Sequence, residues 1–132
     1  MTNAIGIALT GLNSASLRLN ASASNIANVS TTGSLTDTAH APYTPITTQS
    51  TALGAIGGVH TDFIAQEPAF TPAYDPDSPF TDENGMIGVP NINLAEEIVN
   101  IKLAALSYKA NLSTIKVAGE LFDELLDTFR GT

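Results

Sequence analysis

Acidic side chains crowd one stretch of this chain, where Asp75, Asp77, Asp82 and Glu83 lie close together. Several carboxylates in a short loop are the raw material of a calcium site. Their spacing is not that of a helix-flanked calcium loop, and Pro76 and Pro79 interrupt it, so the stretch reads as a solvated turn. His40 and His60 each have one acid nearby, Asp37 and Asp62. A metal ion needs three or four converging ligands, which neither cluster supplies, so both histidines read as surface residues. The neighbouring Glu96 and Glu97 could suggest general acid and base chemistry. Adjacent helical residues point about 100° apart, however, and the pair suits the positive first turn of a helix. No serine occupies a Gly-x-Ser-x-Gly elbow, no glycine-rich loop precedes a lysine, and there is no cysteine for a thiolate or disulfide. The residues therefore assign no catalytic, cofactor-binding or metal site, and the expected role is not enzymatic.

The remaining information lies in the elements that carry these side chains. The chain has 132 residues, 43% of them apolar, yet only eight are aromatic and none is tryptophan. Apolar content made mostly of Ala, Ile, Leu and Val favours helix seams over a bulky core. Five basic against thirteen acidic residues give a formal charge of −8, the wrong sign for holding nucleic acid or an anionic membrane face. No stretch approaches the ~20 apolar residues needed to span a bilayer. Residues 1–10 contain no Lys or Arg, so the layout of a cleaved secretory signal is not expected.

From Ile5, the positions Leu9, Leu12, Ser16, Leu19, Ala23 and Ile26 follow at alternating steps of four and three, the period of a coiled-coil seam. Small residues flank it at Ala8, Ala15 and Ser22. The pattern predicts a helix over 3–27. The same alternation runs through Leu94, Ile98, Ile101, Ala105, Tyr108, Leu112, Ile115, Gly119, Phe122, Leu126 and Phe129, predicting a second, longer helix with Asn93 as its N-cap. Tyr108 reads as a packing residue whose hydroxyl needs a partner if buried. Lys102, Lys109 and Lys116 recur every seven residues beside this seam.

Residues 29–92 hold all seven prolines and six of the ten glycines, which breaks any helical pattern. Two or three short strands are expected there, one of them over Val59–Ala65, where apolar and polar residues alternate. The expected architecture is mainly α: a discontinuous, coiled-coil-like terminal helical domain from 1–30 and 92–132, and a small irregular β and loop region over 31–91. A helix pair with one seam would leave Ile7, Val99, Leu103, Leu106, Val117, Leu121 and Leu125 wet. Full order is therefore expected only in an assembly. On these grounds alone the chain is a subunit of a helical assembly or an export chaperone or adaptor that binds partners through its helix pair, with a hydrolase a distant third.

One stretch carries more. Asn25, Ile26, Ala27, Asn28, Thr31 and Gly33 resemble the signature of the rod and hook axial proteins of the bacterial flagellum: Asn, an aliphatic residue, Ala, Asn, two variable residues, Thr, one variable residue, Gly. The asparagines can satisfy backbone groups where the helix ends, and Gly33 permits a turn that other residues resist. Two further stretches are similar to a proximal-rod member of that family. One runs from Tyr74-Asp75-Pro76 to Pro90-Asn91-Ile92-Asn93; the other comprises Glu96-Glu97-Ile98-Val99-Asn100 and Ser107-Tyr108-Lys109-Ala110-Asn111. The resemblance spans essentially the whole chain, with departures from the pattern at Ser78, Met86, Leu106 and Lys109. It implies a structural subunit of the proximal rod of the basal body, or as the alternative another rod or hook axial protein, that assembles through both helices, transmits torque, and is exported unfolded through the flagellar type III apparatus to the periplasmic rod. Its implied partners are copies of itself, other rod proteins and the protein joining the rod to the membrane ring. No cofactor is implied.

Overall fold

The computed structural model describes residues 2–131. Two long helices run antiparallel, α1 over Thr2–Ala27 and α2 over Leu94–Arg130. Four short strands lie between them: β1 (Ile46–Ala52), β2 (Val59–Ala65), β3 (Phe70–Tyr74) and β4 (Met86–Pro90). The strands form two separate antiparallel hairpins, β1 with β2 and β3 with β4. The expected helical ends and small β middle are therefore present. The domain bounds at 1 and 132 lie outside the described residues.

Local chemistry sets the helix limits. α1 is proline-free and rich in alanine and leucine, and it stops where the Asn28 side chain donates to the Ser24 carbonyl at 2.9 Å. α2 starts at Asn93, whose Oδ1 accepts from the N–H groups of Ala95 and Glu96 at 3.1 and 3.4 Å. Glu96 and Glu97 occupy its first turn and Arg130 its last, each suited to the end of the helix dipole it faces.

The middle holds four strands where two or three were expected. Pro72 in β3 and Gly88 and Pro90 in β4 weaken a strand reading. These strands pair all the same, Phe70 opposite Pro90 and Tyr74 opposite Met86, and Asp82 closes the connecting loop by accepting from the N–H groups of Met86 and Asn84. Those two backbone bonds hold the Asp82 carboxyl below its ordinary range. Asp37 lies low as well, chiefly through its bond to His40 at 2.7 Å. Among the described residues no group of three or more His, Asp or Glu is placed to hold a metal ion.

The interior is unusual in its choice of residues. Buried apolar positions are five alanines (Ala8, Ala15, Ala21, Ala104, Ala118) and Ile87, joined by Pro42, Pro45 and Pro90. Beside them lie Ser14, Ser22, Asn25, Thr61 and Glu97. Apart from Ile87, the large aliphatic and aromatic side chains are left half-buried or exposed, so much of their apolar surface is uncovered within the subunit.

Candidate assembly surface

Asn25 is the centre of the subunit, only 1% exposed. Its amide donates to the Ile46 carbonyl at 2.8 Å and to Glu97 Oε1 at 2.6 Å. Its oxygen accepts from the Ile46 N–H at 2.9 Å and from the Tyr43 hydroxyl at 3.1 Å. All four of its hydrogen-bonding positions are used. Ile46 and Ala65 form the non-hydrogen-bonded kind of pair, flanked by the Gln66 N–H to Pro45 carbonyl bond, so the free edge of Ile46 is available to the amide. One side chain on α1 thus fixes the start of β1, the first turn of α2 and Tyr43, which also meets Ser24 at 3.0 Å.

The rest of the signature divides its labour differently from the expectation. Asn28 does close the helix end, and its Oδ1 accepts from Thr31 at 3.2 Å. Asn25 does not; it reaches away from the helix end to β1 and α2. Gly33 has no positive φ, so the expected turn is not its reason. It exchanges both backbone bonds with Gly88 at 3.0 and 2.8 Å, and a Cβ there would run into the backbone of His40, Ala41 and Pro42. Ile26 is half-buried and Ala27 exposed.

The two helices meet on their small residues. Ala8, Ala15 and Ser22 of α1 are buried, as are Glu97, Ala104 and Ala118 of α2, each set spaced by seven residues or a multiple of seven. A Cβ on Gly11 would lie 2.7 Å from Asn111 Cγ, so the backbone of α1 passes directly over that side chain. The contact line runs beside the aliphatic seam rather than along it. Of the seam residues, Ile5, Leu12, Ile26, Ile101 and Ile115 are half-buried. Leu9, Leu19, Leu94, Ile98, Tyr108, Leu112, Phe122, Leu126 and Phe129 are exposed. The fold does not close the seams on each other within the chain; it holds both on the outside of a helix pair. Sequence periodicity located the seams but could not rank them against the small row beside them.

The first hairpin sits on α1 through hydroxyl groups. Thr61 is buried and donates to Ser14 at 2.8 Å, Ser50 lies 2.8 Å from Thr61, and Thr10 accepts from the Val59 N–H at 3.1 Å. These residues carry no sequence signal that sets them apart from surface serines and threonines. Thr61→Val is expected to leave Ser14 and Ser50 short of a partner inside the interface. The urea midpoint of the purified chain should then fall by the equivalent of about 1–2 kcal/mol, with the slope of the transition unchanged.

The contacts between Asn25 and Glu97 and between Gly11 and Asn111 fix the register of the helix pair. The start of α1 lies level with about residue 120 of α2, and residues 120–130 are all exposed. The last ten residues of α2 therefore overhang by about 15 Å, at roughly 1.5 Å per residue. Leu121 and Phe122 are each 51% exposed on this overhang.

Comparison with known proteins places this arrangement. The sequence profile of a family described as "Flagella basal body rod protein" matches residues 5–33, the stretch that includes the seam of α1 and the signature ending at Gly33. The flagellar basal-body rod protein FlgC of Aquifex aeolicus is 30% identical over 130 residues, covering 97% of this chain and 96% of the relative. FlgC of Agrobacterium fabrum is 34% identical over 132 residues, covering 96% and 93%. FlgC of Salmonella typhimurium is 32% identical over 117 residues, covering 87% of each.

Proposed function

Since the chain belongs to the FlgC family of flagellar basal-body rod proteins, and is thereby a structural rod subunit that assembles with other rod components, we propose that it builds the proximal rod through its exposed helix seams and transmits torque without performing catalysis. The observation that carries this reading is the placement of the large apolar residues. A monomeric protein rarely shows so continuous an apolar strip unless another surface covers it. Here the strip occupies both helices while alanine and serine line the contact inside the subunit.

In this reading the terminal unit, 1–30 with 92–132, forms the inner wall and region 31–91 faces outward. Leu9, Leu19, Ile98, Leu112, Phe122 and their seam neighbours pack against other copies, other rod proteins and the protein that joins the rod to the membrane ring. The chain reaches its place unfolded, through the flagellar export apparatus. An interior of small residues and hydroxyl bonds, with no cysteine, suits a chain that is threaded and then refolds on arrival.

Leu112 offers the test because it is 50% exposed and takes no part in the side-chain hydrogen bonds that join the helices and hairpins. In cells lacking the native gene, Leu112→Asp should restore no swimming, and their purified basal bodies should lack the rod beyond the ring. The isolated variant should keep wild-type helix content by circular dichroism. Normal swimming with Leu112→Asp would overturn the assignment of the seam.

A further inference from the structure

Charge is segregated along the helix pair. α1 contains Arg18 and no acid, and residues 98–119 of α2 contain Lys102, Lys109 and Lys116 and no acid. The end of α2, residues 120–130, contains Glu120, Asp123, Glu124 and Asp127 against a single Arg130. Apart from Glu96 and Glu97 in the first turn of α2, the overlapped body of the pair is thus basic and the overhang acidic, within a chain whose formal charge is −8. Lys116 is occupied, since its amino group lies 3.6 Å from Glu120 one turn on. Lys102 and Lys109 have no acidic partner among the described residues.

Lys109 also borders an apolar groove of about 220 Å³ between the helices, lined by Ala15, Leu19, Ala104, Ala105 and Tyr108. A groove of this kind accepts a leucine or phenylalanine knob from a third helix. Its cationic edge asks for a helix with acids next to its apolar row. The overhang has that composition, with Leu121, Phe122, Leu125 and Leu126 interleaved among its acids and all exposed.

We propose that the overhang of one copy docks on the lysine-flanked groove of a second copy, so that opposite charge decides which end meets which body. The donor and acceptor patches differ, which makes the contact head-to-tail and able to extend as an open array. This deepens the rod reading and rests on it, because it says how two copies of the same subunit recognise each other.

The full-length chain tests it by sedimentation velocity at low salt. The wild type should self-associate, and more weakly at about 0.5 M salt, where exposed charges are screened. Lys102→Glu with Lys109→Glu reverses the lysine edge of the groove, and Asp123→Lys with Asp127→Lys reverses the tail. Each double variant alone should associate at least tenfold more weakly at wild-type helix content, because one of its two patches has changed sign. Combining all four substitutions in one chain should restore association, since tail and body are again opposite. A wild type that stays monomeric at low salt would overturn the proposal, as would a combined variant no better than either parent. If charge reversal changes nothing while Leu112→Asp abolishes swimming, the tail contact fails and the rod reading stands. If the charge swap rescues association while Leu112→Asp swims normally, the docking stands without that reading.

Discussion

Replacing Asn25 by leucine should destabilise the isolated subunit by about 3 kcal/mol or more, the largest effect expected of any single substitution here. Leucine is close in size, so the loss is one of pairing rather than volume. It strands the N–H and carbonyl of Ile46 and the hydroxyl of Tyr43, and it removes the one side-chain hydrogen bond that the Glu97 carboxylate, 9% exposed, receives among the described residues. Leaving a buried carboxylate without its partner costs more than losing an ordinary neutral bond. Asn25→Asp provides the control. It keeps the acceptor for Ile46 and Tyr43 but sets a second carboxylate against Glu97. It should therefore be about as damaging, and adding Glu97→Gln should recover part of the loss as a positive coupling between the two sites. Urea unfolding of the wild type, these three variants and Glu97→Gln alone measures all of this. A leucine variant within about 0.5 kcal/mol of wild type would remove Asn25 from the centre of the fold.

Gly33→Val should be the next most damaging substitution, by about 3 kcal/mol, with a fall in the thermal midpoint of about 10 °C. The added side chain collides with backbone rather than with a movable side chain, so the segment 40–42 must retreat. That retreat pulls apart the paired bonds between Gly33 and Gly88 and loosens β4 from the end of α1. Because the obstruction is a close approach and not a left-handed φ, Gly33→Ala should already show most of the effect, whereas Gly6→Ala, with open space at its Cβ, should be neutral or slightly stabilising. Thermal scans of the three variants separate the two explanations. If Gly33→Ala melts with the wild type, the close approach is not what selects glycine there.

Much of this fold could be read before any coordinates, and the reason is the regularity of α-helices. A seam repeating at threes and fours over Leu94–Phe129, with Asn93 ahead of it, leaves few alternatives to one long helix. The middle was less legible because its order does not come from periodicity. β4 is a strand although it holds Gly88 and Pro90, since Gly88 is where Gly33 must pair and Pro90 sits at the strand end. Side chains that act across long sequence distances were the least visible. Tyr43, Ile46 and Glu97 give no local sign that they converge on Asn25, and Ser14, Ser50 and Thr61 look like any other hydroxyl residues until the hairpin is laid on α1. The family signature pointed to Asn25 and Gly33. What it could not convey is that one is a four-way hydrogen-bond junction and the other a point of backbone contact.

The small residues between the helices also have a geometric consequence. Helices joined through leucine or phenylalanine stand near the upper end of the usual 8–10 Å between axes, and those joined through alanine and glycine near the lower end. With Ala8, Gly11, Ala15 and Ser22 facing Ala104, Asn111 and Ala118, this pair is slender for its length. A tube assembled from slender pairs fits more helices around a given circumference, and each takes up less of the wall's thickness. The choice of alanine over leucine at these positions therefore bears on the calibre of what the subunits build as well as on how two helices touch.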